Sequence, residues 1–168
     1  MAHPTDKSQK DDQAAGQVVS LILDEATIPR QRAPIEQERR IAIANLLECN
    51  SLRVKGLCSG SYVAVVTIEA SDTLGLHVRD EQGGHVCLSL PLGRLAALIK
   101  DYRIVCENYY QAMVDAPPST IETLDEARRA LHDDGAQMIC NAFTPTADLD
   151  HETARGLLTL VTAILSRS

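Results

Sequence analysis

Residues 94–113 read RLAALIKDYRIVCENYYQAM, residues 114–119 read VDAPPS, and residues 120–135 read TIETLDEARRALHDDG. In the first part Leu95, Leu98, Ile99, Tyr102, Cys106, Tyr109 and Met113 recur at the spacing of one helical face. Ala116-Pro117-Pro118 then interrupts the pattern, because proline has no amide hydrogen and biases the residue before it away from the helical region. Ser119 and Glu122 have the S-x-x-E spacing of a capping box. They predict a second helix that buries Ile121, Leu124, Ala127 and Leu131, with Gly135 placed to end it. The stretch reads as a helical hairpin, and it sets how the flanking segments are interpreted.

Downstream, AQMICNAF (136–143) reads as a short further helix broken by Pro145. Asp148 or Asp150 then caps a last helix whose apolar stripe is Ala154, Leu157, Leu158, Val161 and Leu165. Upstream, VVSLILD (18–24) is a short β-branched run and reads as a strand. A helix is predicted over 35–49, with Ile35, Ala42, Ile43, Leu46 and Leu47 on one face and Asn50 as terminator. LRVKG (52–56), SYVAVVTIEA (61–70), TLGLHVRD (73–80) and HVCLSL (85–90) are strand-like. EQGG between the last two supplies hairpin glycines. Alternation puts Leu74, Leu76, Val78, Val86, Leu88 and Leu90 on one face, and His77, Arg79, His85, Cys87 and Ser89 on the other. Segregated strands and helices define an α+β class. The expected architecture is a small antiparallel sheet with one N-terminal helix, followed by a C-terminal bundle of three to four helices packed on one sheet face. Residues 1–17 read as a polar, disordered tail, and 18–168 as a single domain.

Composition narrows the function. The net charge of −7 argues against a general nucleic-acid binder, which needs clustered Lys and Arg to neutralise phosphates. Cys49, Cys58, Cys87, Cys106 and Cys140 form no Cys-x-x-Cys pair and are odd in number, which disfavours a disulfide framework or zinc knuckle and favours the reducing cytoplasm. No apolar run reaches the roughly 18 residues of a membrane span, and MAHPTDKSQKDDQAAGQ (1–17) lacks the apolar core of a secretory signal. Walker, Rossmann, nucleophile-elbow and H-E-x-x-H motifs are all missing, which leans against an enzyme and implies no cofactor.

A family resemblance enters on specific strings. They are Lys100-Asp101-Tyr102, then Cys106, Tyr109, Tyr110 and Ala112, then Ile121-Glu122, Asp125, Arg128-Arg129, Leu131 and His132. Asp150, Thr153-Ala154-Arg155, Leu158 and Thr159-Leu160 follow, and Leu23-Asp24-Glu25 and Glu36 to Arg39 also fit. Over residues 18–165 the chain resembles a bacterial uncharacterised protein family, number 0262 of the UPF series, as a divergent member. The resemblance implies no particular activity. It also leads one to expect two adjacent arginines where this chain has Ala96 and Ala97 and keeps only Arg94 nearby.

Four constellations merit weighing. The first is the polar set on the hairpin: Lys100, Asp101, Glu122, Asp125, Arg128, Arg129 and His132, with Tyr102 and Tyr109 beside it and Arg155 close if the last helix packs against it. Asp125 and Arg129, and Arg128 and His132, are four apart and share a helix face. Such a set suits a charged protein partner or a small anion, and it equally suits an ordinary solvated face. The second is His77, His85 and Cys87, competent zinc ligands without a fourth, or simply a mixed solvent face. Pairing Val78 with Val86 would set Cys87 opposite His77 and His85 opposite Arg79. The third, Cys58 in the loop 56–61, has no base in the sequence to activate it and reads as a turn. The fourth is a basic group of Arg30, Arg32, Arg39, Arg40, Arg53 and Lys55, which reads as a solubilising face or a site for an acidic partner or an RNA phosphate. The leading expectation is a small cytosolic protein that binds another protein, as a regulator or accessory factor, through the charged helical surface. The alternatives are an enzyme or anion binder using His132, Asp125, Arg129 and Arg155, and a homodimer formed through the C-terminal helix or an open sheet edge.

Overall fold

The computed structural model describes residues 14–70 and 72–167. The expected tail falls mainly on residues 1–13, outside the described residues. Its last two positions belong to the fold, since Gly16 bridges Leu52 and Gln17 opens the first strand. The elements run β1 (Gln17–Leu23), α1 (Ala33–Glu48), β2 (Leu52–Val54), β3 (Ser61–Glu69), β4 (Thr73–Arg79), β5 (His85–Pro91), α2 (Gly93–Asp115), α3 (Pro118–Phe143), β6 (Ala147–Leu149) and α4 (His151–Leu165).

The main sheet has the order β1-β3-β4-β5. β3, β4 and β5 form an antiparallel meander, and the expected register holds: His77 faces Cys87, Val78 faces Val86, and Arg79 faces His85. β1, however, pairs parallel to β3, so the sheet is mixed rather than antiparallel. The reason is topological. A strand followed by a crossover helix returns parallel, whereas a short turn returns antiparallel, and α1 lies between β1 and β3. β1 is bulged at Val19, and Asn50 closes the gap. The Asn50 Oδ1 accepts from the Val18 amide at 2.7 Å, while its Nδ2 donates to the carbonyls of Val18 and Leu46, each at 2.9 Å. One side chain thus anchors the strand and caps α1. The segment 52–56 yields only the three residues of β2, which leave the main sheet to pair antiparallel with β6.

The helices cover one face of the sheet, and α4 is their centre. Its N-terminus is capped by Asp150, whose Oδ1 accepts from the Thr153 amide at 2.9 Å. Leu157, Leu158, Leu160, Val161 and Ile164 are all buried, too broad an apolar arc for a helix with one solvent face. Leu157, Leu160, Val161 and Ile164 meet Val66, Leu74, Leu76 and Leu90 of the sheet and Ile139 and Phe143 of α3. The aliphatic core follows from a chain with 3% aromatic residues.

Two boundary expectations change. Ser119 and Glu122 form no capping box. Pro118 occupies the first turn and the helix starts after Pro117, so Ser119 already lies inside α3. Nor does Gly135 end the helix, which runs unbroken to Phe143 and absorbs the segment 136–143. A Cβ at Gly135 would lie 2.7 Å from Leu158 Cδ2 and 3.1 Å from Leu98 Cδ2. The glycine therefore serves close helix packing, not termination.

Candidate functional site

The hairpin of α2 and α3 assembles part of the predicted polar set. Asp125 accepts from Arg128 Nη2 at 2.7 Å and pairs with Arg129 Nη2 at 2.8 Å. Arg128 also lies over the Tyr109 ring, 5.2 Å from its centroid, a cation–π arrangement that fixes the guanidinium between helices. Both guanidinium groups of Arg128 and Arg129 thus pair within α3 with a single carboxylate. Lys100, Asp101 and Glu122 are exposed and enter none of these contacts.

His132 and Arg155 belong to a second cluster, one turn further along. The His132 ring packs against Tyr102 with centroids 5.5 Å apart. Its Nε2 lies 3.3 Å from the Thr159 hydroxyl, which itself donates to the Arg155 carbonyl at 3.1 Å. That leaves the hydroxyl as acceptor and puts the imidazole proton on Nε2. The His132 Nδ1 is buried with no hydrogen-bond partner. Burial, and then the Arg155 guanidinium, hold the His132 pKa below its ordinary value. Arg155 Nη1 and His151 Nε2 both reach Asp133 Oδ1, at 3.4 and 3.2 Å. The hydrogen bond from His151 and the charge of Arg155 hold the Asp133 carboxyl below its usual value. Burial, followed by the neighbouring Cys106, pushes the Tyr102 hydroxyl up to about 12, so it stays protonated beside Arg128.

Near these groups lies a groove of about 830 Å³ between α1 and the C-terminal half of α2, floored by α4. Tyr102 and Thr159 line it, but His132, Asp125, Arg129 and Arg155 do not. Its walls carry apolar side chains that no other element of the described residues covers: Ile41 is 50% exposed, Tyr110 67% and Val114 84%. Glu38 and Glu107 supply acidic groups at its rim. Arg103 is not free to answer them, since its Nη2 donates to the Thr162 carbonyl and the Ser166 hydroxyl. The helical spacing of the alternation-free run 102–114 signalled a face, but not that its far end would stay uncovered.

The other predicted groups separate. His77 and Cys87 do meet across β4 and β5, with the thiol 3.8 Å from His77 Nε2. Glu69, not His85, joins them: its Oε1 is 3.4 Å from His77 Nε2. His85 instead stacks on the His77 ring, centroids 5.6 Å apart and planes 11° from parallel. Cys58 is exposed, and its amide donates to Asp80 Oδ2 at 2.9 Å, as a turn residue. The basic group disperses. Arg30 pairs with Glu25 at 2.8 Å, Arg53 lies opposite Asp148 in the small sheet, and Arg39 is buried at 4% exposure.

Among the described residues, a four-stranded mixed sheet backed by four helices, with a charged helical hairpin and an open groove, defines a small α+β protein. Residues 15–167 match the family described as "Uncharacterised protein family (UPF0262)", and the chain belongs to it. A UPF0262 protein of Maricaulis maris is 38% identical over 162 residues, covering 96% of this chain and 98% of that protein. One from Rhodopseudomonas palustris strain BisB5 is 36% identical over 158 residues, covering 94% and 96%. Another, from Rhizobium etli, is 36% identical over 157 residues, covering 92% and 99%. No solved structure matches the chain. Among the described residues, no helix is long and apolar enough to cross a membrane.

Proposed function

We propose that this protein is a cytoplasmic binding module that receives a basic amphipathic helix of a partner protein in the groove between α1 and α2. The observation that carries the reading is the exposure of Ile41, Tyr110 and Val114 along one hollow. A large apolar patch left open to water costs solubility and is commonly retained for recognition. Helical ligands fill such grooves with residues spaced three and four apart. Charge selects the partner's sign. Glu38 and Glu107 border the groove on a chain of net charge −7, so a lysine-flanked apolar face is attracted and an acidic one repelled. Five free cysteines, two of them exposed, favour a reducing compartment. The charged face of α3 contributes nothing to the lining of this groove, and Asp125 already pairs with both Arg128 and Arg129.

The test is a calorimetric titration with a leucine–lysine amphipathic helical peptide. Saturable 1:1 binding that disappears in the Ile41→Glu/Val114→Glu double variant supports the reading. Equal binding by the double variant contradicts it, as does the same affinity for a leucine–glutamate peptide. Concentration-dependent dimerisation abolished by the same variant would replace the partner helix with a second copy of this chain.

A further inference from the structure

We propose that Glu69, His77 and Cys87 form a site for one zinc-like divalent transition-metal ion on the open face of the sheet, away from the helices. The sheet itself builds the convergence. His77 and Cys87 are directly opposed on β4 and β5, while Thr67 of β3 faces Gly75 and Glu69 faces Thr73. Residues at this alternation share the solvent side of the pleat. His77, Cys87 and Glu69 therefore surround Gly75, the one position among them with no side chain. A Cβ at Gly75 would lie 2.7 Å from Glu69 Oε1, 2.8 Å from Thr67 Oγ1 and 3.1 Å from His77 Nε2. The three side chains lean into space that any other residue would fill.

Their geometry suits a metal better than it suits hydrogen bonds alone. One nitrogen, His77 Nε2, faces Thr67 Oγ1 at 3.1 Å, Glu69 Oε1 at 3.4 Å and Cys87 Sγ at 3.8 Å. An imidazole nitrogen has one proton or one lone pair and serves one of these at a time. A tetrahedral zinc ion with bonds of about 2.0–2.3 Å holds its donors about 3.3–3.7 Å apart. The carboxylate and thiol stand from the imidazole at nearly those distances, and all three donor atoms lie within 4.8 Å of one another. Little rearrangement is needed. The donor set also selects the ion. A thiolate with an imidazole favours zinc and its neighbours in the first transition row over magnesium or calcium, which prefer oxygen. His85 stacks on His77 and fixes the ring plane, as an outer residue holding a ligand in place. Three protein donors leave the fourth position open for water, with the Thr67 hydroxyl beside it.

The test uses the full chain stripped of metal and titrated with cobalt(II). One equivalent should bring in a thiolate-to-cobalt charge-transfer band together with the visible bands of four-coordinate cobalt, and zinc should displace both. Cys87→Ser and His77→Gln should abolish the charge-transfer band. Glu69→Gln should weaken binding at least as much as the roughly 10–100-fold loss typical of outer-shell changes. Cys58→Ser, at an exposed thiol outside the cluster, should change nothing. All four positions are at least partly open to solvent, and circular dichroism of each variant is the check that it folds. The absence of a charge-transfer band, or a band that survives Cys87→Ser, overturns the assignment.

Discussion

Arg39 and Ile164 lie 125 residues apart in the chain, and the guanidinium of one caps the last turn of α4, which holds the other: Arg39 Nη2 donates to the Ile164 carbonyl at 3.2 Å. Its Nε reaches the Ala163 carbonyl at 3.4 Å, and its Nη1 donates to the Pro29 carbonyl and to Glu36 Oε1. Arg103 takes the Thr162 carbonyl from the opposite side. Two arginines from α1 and α2 thus satisfy the end of α4, where the last carbonyls have no partners within the helix. The clasp ties α1 and α2 to α4, which floors the groove between them.

Replacing Arg39 with Ala removes the donor from the buried Ala163 and Ile164 carbonyls. The expected loss is about 3 kcal/mol in urea unfolding. Arg39→Lys should recover only part of it, because an ammonium cannot present the planar fork that reaches three segments at once. A loss below about 0.5 kcal/mol would mean that the clasp is not structural.

Two glycines should respond to alanine in opposite senses. At Gly135 the added methyl meets Leu158 and Leu98, so Gly135→Ala should destabilise by about 1–2 kcal/mol despite the helix preference of alanine. At Gly93, in the first turn of α2, a Cβ meets nothing within 4 Å. Gly93→Ala should therefore stabilise by about 0.5–1 kcal/mol. Thermal midpoints moving in opposite directions would confirm the distinction between a packing glycine and a spare one.

His132 should give stability a pH dependence of definite sign. Its folded pKa lies below the ordinary 6.5, chiefly because burial disfavours the imidazolium. Between the two values the unfolded chain binds the extra proton, so stability rises with pH across that window. The contribution is complete above about 6.5 and is lost as pH falls from there to the folded value. Protonation would also place an N–H on the buried Nδ1, which has no partner. Asp133 acts in a separate, lower range, losing its contribution as pH falls below its ordinary 3.8. His132→Gln keeps a donor for Thr159 and should flatten the slope just below pH 6.5. An NMR titration of His132 with a midpoint at or above 6.5 would contradict this account.

Ile41→Glu and Val114→Glu should alter stability by no more than about 0.5 kcal/mol each, since both side chains already face water. Their solubility should rise. A large destabilisation would indicate that the groove walls pack more closely than their exposure implies.

The β4–β5 register was legible because both of its signals were local, alternation in two short runs and glycines in the turn between them. The parallel partner of β1 was not, because period-two patterning says which face is buried and nothing about which strand lies alongside. Gly135 misled for a physical reason: a helix-ending glycine and a close-packing glycine are identical in sequence, and only the approach of Leu158 from α4 and Leu98 from α2 distinguishes them. Pro118 displaced the capping box by fixing the helix start one residue earlier than Ser119. Arg39 carried a readable signal, since it shares the face of Ala42 and Leu46, which are also buried. Its charge argued for solvent, and its carbonyl partners lie at the far end of the chain. In the site, the Asp125–Arg129 pair followed from helical spacing, whereas Thr159, His151 and Glu69 joined their clusters only through tertiary packing.

The α1–α2 groove as binding surface is decided by chemical-shift mapping of the isotope-labelled chain titrated with the leucine–lysine helical peptide. Saturable shifts should be confined to residues such as Glu38, Ile41, Cys106, Tyr110, Val114 and Thr162. Shifts centred on Asp125 and Arg129, shifts on the open sheet face, or none at all would contradict it.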